Sequence, residues 1–190
     1  MKKIFIILLT FITLSLCSAQ QRLISISAGL STGVILYDSE KIIEARKSLE
    51  NGSRIILGGL FEVDFNPIKE ISFFAGADIL TDFNSKTPYT SNHLSFDIPF
   101  GIKIYPNLAG FCFGLAYANG FRSDYFNLEE SGKENSKTPW GNGFKFLIEY
   151  NFAHSGSSPY LPTVGGYWKH MPRGNSTYDN QLCIYVCSNF

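Results

Sequence analysis

Apolar and polar residues alternate along most of this chain with a period of two. Between residues 23 and 37, one set of alternate positions is mainly apolar, and the other consists of serine and glycine from Ser25 to Gly33. Such a period places successive side chains on opposite faces of a strand. The same alternation returns over residues 54–65, 71–83, 93–105, 110–121 and 144–152. These six segments are therefore predicted to be amphipathic strands.

Two further strands complete the predicted set. Residues 160–170 are interrupted by Pro162 and a glycine pair, so neither face of this seventh strand is uniformly apolar. The last strand runs to the C-terminus, and one of its faces is apolar: Leu182, Ile184, Val186 and Phe190. In the fourth strand, Pro99 removes one ladder donor and predicts a bulge. Eight such strands predict an all-β fold, an eight-stranded antiparallel up-and-down barrel.

The connections between the predicted strands differ in length. Three of them are short, at residues 66–70, 106–109 and 153–158, and four are longer and more polar, at 38–52, 84–92, 122–140 and 171–179. Outer-membrane barrels have short periplasmic turns and longer external loops, and this order fits them. In the first long connection, Ser39 precedes a sequence that forms either a short capped helix or a solvated loop.

The alternation alone does not decide which face points outwards, and a soluble barrel of lipocalin type would turn the apolar face inwards. Three features favour an apolar exterior. The apolar side chains outnumber what the interior of an eight-stranded barrel holds. The opposite face is rich in glycine, serine and alanine. Aromatic residues collect near the strand ends, as in interfacial girdles: Phe65, Tyr150, Phe152 and Phe190 at one end, and Phe83, Phe96, Phe121 and Phe144 at the other. A transmembrane barrel in contact with outer-membrane lipid is therefore predicted.

The N-terminus has the pattern of a secretory signal peptide. Lys2 and Lys3 precede an apolar run, and small residues after Cys17 provide a cleavage site. Residues 1–19 are thus predicted to be the signal peptide, and residues 20–190 the barrel domain. Two alternatives stay open, a lipid-modified Cys17 and an uncleaved anchor. Leu16 disfavours the first, and the second falls short of the roughly 20 apolar residues that a spanning helix needs.

Composition and charge disfavour several classes of function. The chain has 190 residues, of which 45% are hydrophobic and 15% aromatic, so it is not a disordered protein. Without Lys2 and Lys3, 14 basic and 16 acidic residues remain, and this net charge of −2 argues against a nucleic-acid partner. The three histidines have no metal-ligand spacing, and no metal or other cofactor is predicted.

Three cysteines remain after the signal peptide: Cys112, Cys183 and Cys187. Cys183 and Cys187 lie roughly 13 Å apart at the rise of one strand, which is too far for a disulfide between them. A bridge from Cys112 to either of them stays open. A disulfide framework does not organise the fold.

A resemblance to a known family rests on the signal peptide, on amphipathic strands such as residues 143–152, and on the last strand ending in Phe190. Over the whole mature chain, the sequence resembles small outer-membrane barrels of the OmpA, OmpX and OmpW type. The resemblance implies a monomer in the outer membrane of a two-membraned bacterium, with Phe190 read by the outer-membrane assembly machinery. Ser188 departs from the pattern, which usually has an apolar residue there. The resemblance is one of architecture and implies no functional motif.

Charged residues on the polar face are the candidates for a role inside the barrel. They are Arg54, Glu62, Asp64, Asp78, Asp82, Asp97, Lys103, Lys145 and Glu149. An unpaired buried charge costs several kcal/mol, so these groups are expected to pair with one another. Because the interior of an eight-stranded barrel is narrow, a paired network that plugs the lumen is favoured over a charge-lined path for solutes.

The expected function is a structural or surface-interaction role, through the external loops 38–52 and 122–140 and a possible extracellular ligand. A narrow pore for small or apolar solutes is the alternative. Trp168 and Lys169 indicate an interfacial anchor, followed by a tight external loop at residues 172–174. None of these features identifies a ligand.

A lipid-modifying enzyme is the least favoured function, and the chain is not predicted to be an enzyme. Acyl transfer would require a serine and a histidine within hydrogen-bond reach, with an orienting acid or amide. His93 with Ser95 or Asp97, and His170 with Ser176, are the available combinations. Both histidines are expected to be surface residues, His93 at a strand end and His170 beside a loop.

Overall fold

The computed structural model describes residues 23–106, 110–129, 132–155 and 160–190. The predicted signal peptide and parts of two predicted turns, 106–109 and 153–158, lie outside the described residues. The described elements, in chain order, are β1 (Ile24–Tyr37), α1 (Glu40–Ser48), β2 (Ser53–Ile68), β3 (Ile71–Lys86), β4 (Tyr89–Ile104), β5 (Phe111–Leu128), β6 (Gly132–Lys137), β7 (Gly141–Asn151), α2 (Phe152–Ser155), β8 (Thr163–Pro172) and β9 (Tyr178–Asn189).

The strands close into an antiparallel barrel. Successive strands pair from β1 to β5 and from β7 to β9, β5 also pairs with β7, and β9 pairs back with β1. β6 pairs with the outer part of β5 and β7 with the remaining part, so β6 and β7 together occupy one position in the wall. The prediction of an eight-stranded antiparallel up-and-down barrel is confirmed.

The prediction of long loops at residues 84–92 and 122–140 is wrong, because strands continue through most of both segments. β3 and β4 are joined at Thr87–Pro88, a cis peptide, so the predicted loop 84–92 is a tight hairpin. β5 extends to Leu128 and pairs with β6, so most of the predicted loop 122–140 is a second hairpin. A strand that has left the apolar layer of a membrane needs no apolar face, and the period-two signal therefore ends before the strand does.

Three local predictions have mixed outcomes. The first long connection contains the helix α1, and the seventh strand lies at Thr163–Pro172 rather than at 160–170. The bulge predicted at Pro99 is absent. Pairing of β3 with β4 passes from Ala75↔Phe100 to Asp78↔Asp97 in unchanged register, so the proline interrupts the ladder without an inserted residue. In the described parts of the chain, no helix combines the length and the apolar character that crossing a membrane requires.

The apolar face of the barrel points outwards, as predicted. Leu30, Ile148 and Ile184 are 67%, 56% and 66% exposed, whereas Asp97 and Lys169 on the other face are fully buried. Outward aromatic rings pack in groups near both ends: Phe111, Tyr150 and Phe152 at one, and Phe96, Phe121 and Trp140 at the other. The arrangement is the reverse of a lipocalin-type barrel, because here the charges lie inside.

Candidate functional site

All nine charges predicted for the lumen lie on the inward face of the barrel, and each takes part in an ion pair. Period-two alternation explains this placement, because inward positions on every strand have one parity. The pairs form two groups at different heights in the lumen, with further pairs near the end closed by α1. The sequence did not indicate which charges would meet.

The first group surrounds Lys103 of β4, near the end of the barrel at which the chain termini lie. The Lys103 ammonium contacts the Glu62 carboxylate and lies 3.2 Å from Asp64 Oδ1 and 3.3 Å from Glu149 Oε1. Tyr185 on β9 donates a hydrogen bond to the Glu149 carboxylate on β7. One buried cation therefore holds three carboxylates from β2 and β7, which fixes the distance between these strands.

The second group is a continuous row of alternating charges, here called the ionic chain. Its members are, in order, Lys145, Asp78, Lys169, Asp97, Arg173, Asp179, Arg122 and Asp124. Charge-assisted contacts of this kind are shorter and stronger than neutral hydrogen bonds. Glycine makes room for the row at Gly120, where any side chain would overlap the Asp97 carboxylate. The ionic chain occupies the lumen between β3, β4, β5, β7, β8 and β9.

Five members of the ionic chain were missed by sequence reasoning: Arg122, Asp124, Lys169, Arg173 and Asp179. They lie in segments predicted to be loops or irregular strand. Lys169 is fully buried, so the prediction that it is an interfacial anchor is wrong. Trp168 and His170 occupy the outward positions of that stretch instead. Lys169 could have been assigned to the lumen from its spacing, because it lies two residues after the inward Tyr167 and alternate residues of a strand share a face.

Arg173 lies just beyond β8 and closes the ionic chain from the loop side. Its guanidinium is 2.8 Å from Asp97 Oδ1 and 2.6 Å from Asp179 Oδ2. Burial lowers the pKa of this group, but the two carboxylates outweigh that effect and raise the pKa above its ordinary value. The guanidinium thus stays charged inside the barrel.

Helix α1 closes the end of the lumen opposite the chain termini. Its inward residues Ile42 and Ala45 are 1% exposed and pack in one apolar cluster with Tyr37 and Phe126. On its outer side, Lys41 pairs with a glutamate of β6 and lies over the Phe126 ring. The helix therefore covers the inward residues of β4 and β5 with an apolar side and is tied to β6 by an exposed ion pair.

His93 is a buried lumen residue, and its placement at the surface was wrong. The ring is 1% exposed and packs against Tyr37 and Phe126. Its Nε2 lies 2.9 Å from Ser91 Oγ, and its Nδ1 lies 2.8 Å from Asp124 Oδ1. The predicted partners Ser95 and Asp97 are contacted by Arg173 instead.

The second histidine combination also differs from the prediction. His170 Nδ1 lies 2.8 Å from Asn180 Oδ1 on the half-buried outer side of β8 and β9, rather than meeting Ser176. The cysteines Cys112, Cys183 and Cys187 are buried and free. Within the described ranges, no group of three or more potential ligands is arranged to hold a metal ion.

No family model matches this chain, and no curated protein does. Solved structures of similar fold include Ail, the attachment invasion locus protein of Yersinia pestis. It has 9% identity and a TM-score of 0.61, with 88% of this chain and 97% of Ail covered; Ail was also solved with the heparin analogue sucrose octasulfate. Neisserial surface protein A has 12% identity and a TM-score of 0.56, with 89% and 98% covered. Such identities show the fold alone, and by fold this chain is a small eight-stranded barrel of the outer-membrane type.

Proposed function

We propose that this protein is a monomeric surface protein of the outer membrane of a two-membraned bacterium. Its barrel would anchor an interaction surface at the end closed by α1. The observation that carries this proposal is the filled lumen. The Lys103 group and the ionic chain occupy the interior, and α1 packs over one end. A barrel with a filled lumen can anchor segments outside the membrane, but it leaves little room for solutes to pass through.

The proposed orientation follows from the termini. Ile24 and Asn189 lie at the same end, because the wall has an even number of strand positions. Termini of bacterial outer-membrane barrels are periplasmic, so α1 and the β5–β6 hairpin would face the exterior. Phe190 would serve as the assembly signal. Its N–H donates to the Ile26 carbonyl at 2.8 Å, so the last residue is still part of the β1–β9 seam.

The external surface is defined as the solvent-facing residues of α1 together with β6. It combines exposed side chains of both charges and one apolar residue: Lys41, Ile43, Glu44, Lys47, Lys133 and Lys137. The β6 strand also leaves one edge without a neighbour in the described part of the sheet. Ail has been solved with a sulfated ligand. A likeness at 9% identity does not transfer that ligand to this chain, and the proposal is an extracellular ligand held by α1 and β6.

The test replaces each half of the external surface separately. In one variant, a short glycine-serine turn replaces residues 127–134; in another, Ile43, Glu44 and Lys47 of α1 become alanine. Cells that display each variant would be applied to a panel of immobilised glycans and matrix proteins. We expect the intact protein to bind one member and at least one variant to lose that binding.

The control changes the opposite end of the barrel. Lys69 and Glu70 form the turn between β2 and β3, and their replacement by alanine should leave binding unchanged. All variants must reach the outer membrane and show heat-modifiable gel migration. Binding that survives both external changes, or that is lost in the control, would refute the proposed surface.

A further inference from the structure

We propose that Ser91, His93 and Asp124 form a serine-hydrolase centre beneath α1, with a carboxylic ester that carries an apolar acyl group as the substrate class. The three side chains are linked in a row, 2.9 Å from Ser91 Oγ to His93 Nε2 and 2.8 Å from His93 Nδ1 to Asp124 Oδ1. A nucleophile, a base and an orienting acid in this order are the arrangement that acyl transfer requires. The proposal concerns an activity distinct from the surface role above.

Strand register produces this arrangement. Ser91 and His93 are two residues apart on β4, so both side chains point into the lumen. His93 lies directly opposite Asp124 on β5, and Ser91 lies directly opposite Asn84 on β3. Four polar side chains on three adjacent strands are thereby fixed by ladder pairing. A backbone of this kind holds a catalytic group more rigidly than a loop does.

The two flanking residues complete the site. The Asn84 amide nitrogen donates to the Ser91 carbonyl at 3.3 Å and to Asp82 Oδ1 at 3.1 Å, so a donor lies beside the nucleophile and would exchange one of these acceptors for the oxyanion. Arg122 Nε donates to Asp124 Oδ1 at 2.8 Å, the oxygen that the His93 ring also contacts. Arg122 and Asp124 are positioning residues in this scheme, because they hold the ring and do not touch the substrate.

Access to the site is controlled by α1. Ser91 is fully buried, and the rings of Tyr37 and Phe126 lie against His93 below the apolar side of α1. Burial of Ile42 and Ala45 holds the inner side of α1, whereas its outer side is fastened by the exposed ion pair between Lys41 and β6, and exposed pairs of this type contribute little stability. Outward movement of α1 would open an entrance above Ser91 whose upper wall is apolar and aromatic, with the Asp82 carboxylate and the Arg122 guanidinium beside the Tyr37 ring. An acyl chain fits such walls better than a charged group does.

The reaction would run in two balanced steps. Ser91 Oγ attacks the ester carbonyl carbon while His93 Nε2 takes the hydroxyl proton. The bond to the alkoxy oxygen then breaks, and the proton passes to the departing alcohol. Water, activated by His93 in the same way, then attacks the acyl-serine. It releases the carboxylic acid and restores the Ser91 hydroxyl.

The experiment uses the full chain, refolded or extracted in detergent and verified as a heat-modifiable barrel. A fluorophosphonate probe would be added, and the labelled residue located by mass spectrometry; hydrolysis of a p-nitrophenyl ester of a medium-chain acid would be followed in parallel. The variants are Ser91→Ala, His93→Gln and a lid variant with Lys41→Ala and Ile42→Ala. Ser95→Ala is the matched control, since Ser95 is also buried on β4 and inward-facing but contacts Arg173.

The expected result is one phosphonyl group on Ser91, added faster in the lid variant than in the original chain. His93→Gln should lower the hydrolysis rate by about 10²–10⁴-fold, as loss of a general base does. Ser95→Ala should keep both labelling and hydrolysis, and Ser91→Ala neither. Absence of label on Ser91 in both the original chain and the folded lid variant would overturn the proposal. Label or hydrolysis that persists in Ser91→Ala would overturn it as well.

Discussion

Lys169 Nζ lies 3.0 Å from Asp78 Oδ2, although β8 and β3 are on diametrically opposite sides of the barrel. The same ammonium is 2.7 Å from Asp97 on β4, and both groups are buried. The Lys169–Asp78 ion pair therefore spans the width of the lumen. The ionic chain thus links strands on opposite sides of the barrel that share no backbone hydrogen bonds.

Replacement of Lys169 by methionine should destabilise the barrel strongly. The change keeps the length of the side chain but leaves Asp78 and Asp97 with one cation fewer in a buried site. Loss of one partner of a buried ion pair costs about 3–5 kcal/mol. The measurement is urea unfolding of the refolded protein in lipid vesicles, followed by tryptophan fluorescence. Lys133→Met on the exposed strand β6 is the control and should change stability little. Equal effects in the two variants would contradict a stabilising link across the lumen through Lys169.

Arginine on the outer face should be costly at the level of the lipid core. Ala75, Ile98 and Ile148 are exposed on that face, and arginine at any of them should lower the free energy of unfolding by about 2–4 kcal/mol in vesicles. Ile43→Arg on α1 is the matched change outside the proposed membrane layer and should be nearly neutral. Neutral results at all three wall positions would mean that the face assignment is wrong.

The filled lumen should conduct no ions. We expect the purified protein to give no stepwise current in planar bilayers, because the ionic chain and the Lys103 group occupy the interior. A variant with residues 40–48 replaced by a glycine-serine linker should also be silent, since the charges below α1 remain. Regular conductance steps in either protein would favour the narrow-pore function instead.

The three barrel cysteines should be unreactive in the folded protein. Cys112, Cys183 and Cys187 are 0%, 2% and 3% exposed and free. A maleimide added to the folded barrel should leave the mass unchanged, and the same reagent in denaturant should add three groups to the mature chain without prior reduction. A single label after denaturation would instead reveal a disulfide between Cys112 and one of the others.

The architecture could be predicted because lipid and lumen impose opposite chemistries on alternate residues. Ile148 and Glu149 are neighbours in sequence, and one is 56% exposed on the outside while the other is 4% exposed on the inside. That contrast is strong in the strands within the apolar layer, except in β8, where Gly165 and Gly166 weaken it. The nine lumen charges were identified from it, and so was the outward orientation of the aromatic residues near the strand ends, such as Phe111 and Phe121.

The upper parts of the barrel could not be predicted in the same way. Beyond the apolar layer both faces are polar, so Arg122 and Asp124 look like loop residues, although their parity is that of the lumen. The Ser91–His93–Asp124 row was missed for a related reason. It depends on the pairing of β4 with β5. The alternation of apolar and polar residues within each strand does not by itself determine which residues pair between strands.

Ladder pairing also limits how the length of this chain can change during evolution. One residue inserted into β4 between Ser91 and Lys103 would turn every later side chain of the strand to the other side. Lys103 would then face lipid, and Ile102 would take its place among the three carboxylates. Insertions within the wall should therefore be tolerated only in pairs, whereas the connections between strands are free to vary by any number. Homologues that differ in length are thus expected to share the parity of their strands even where no residue is identical.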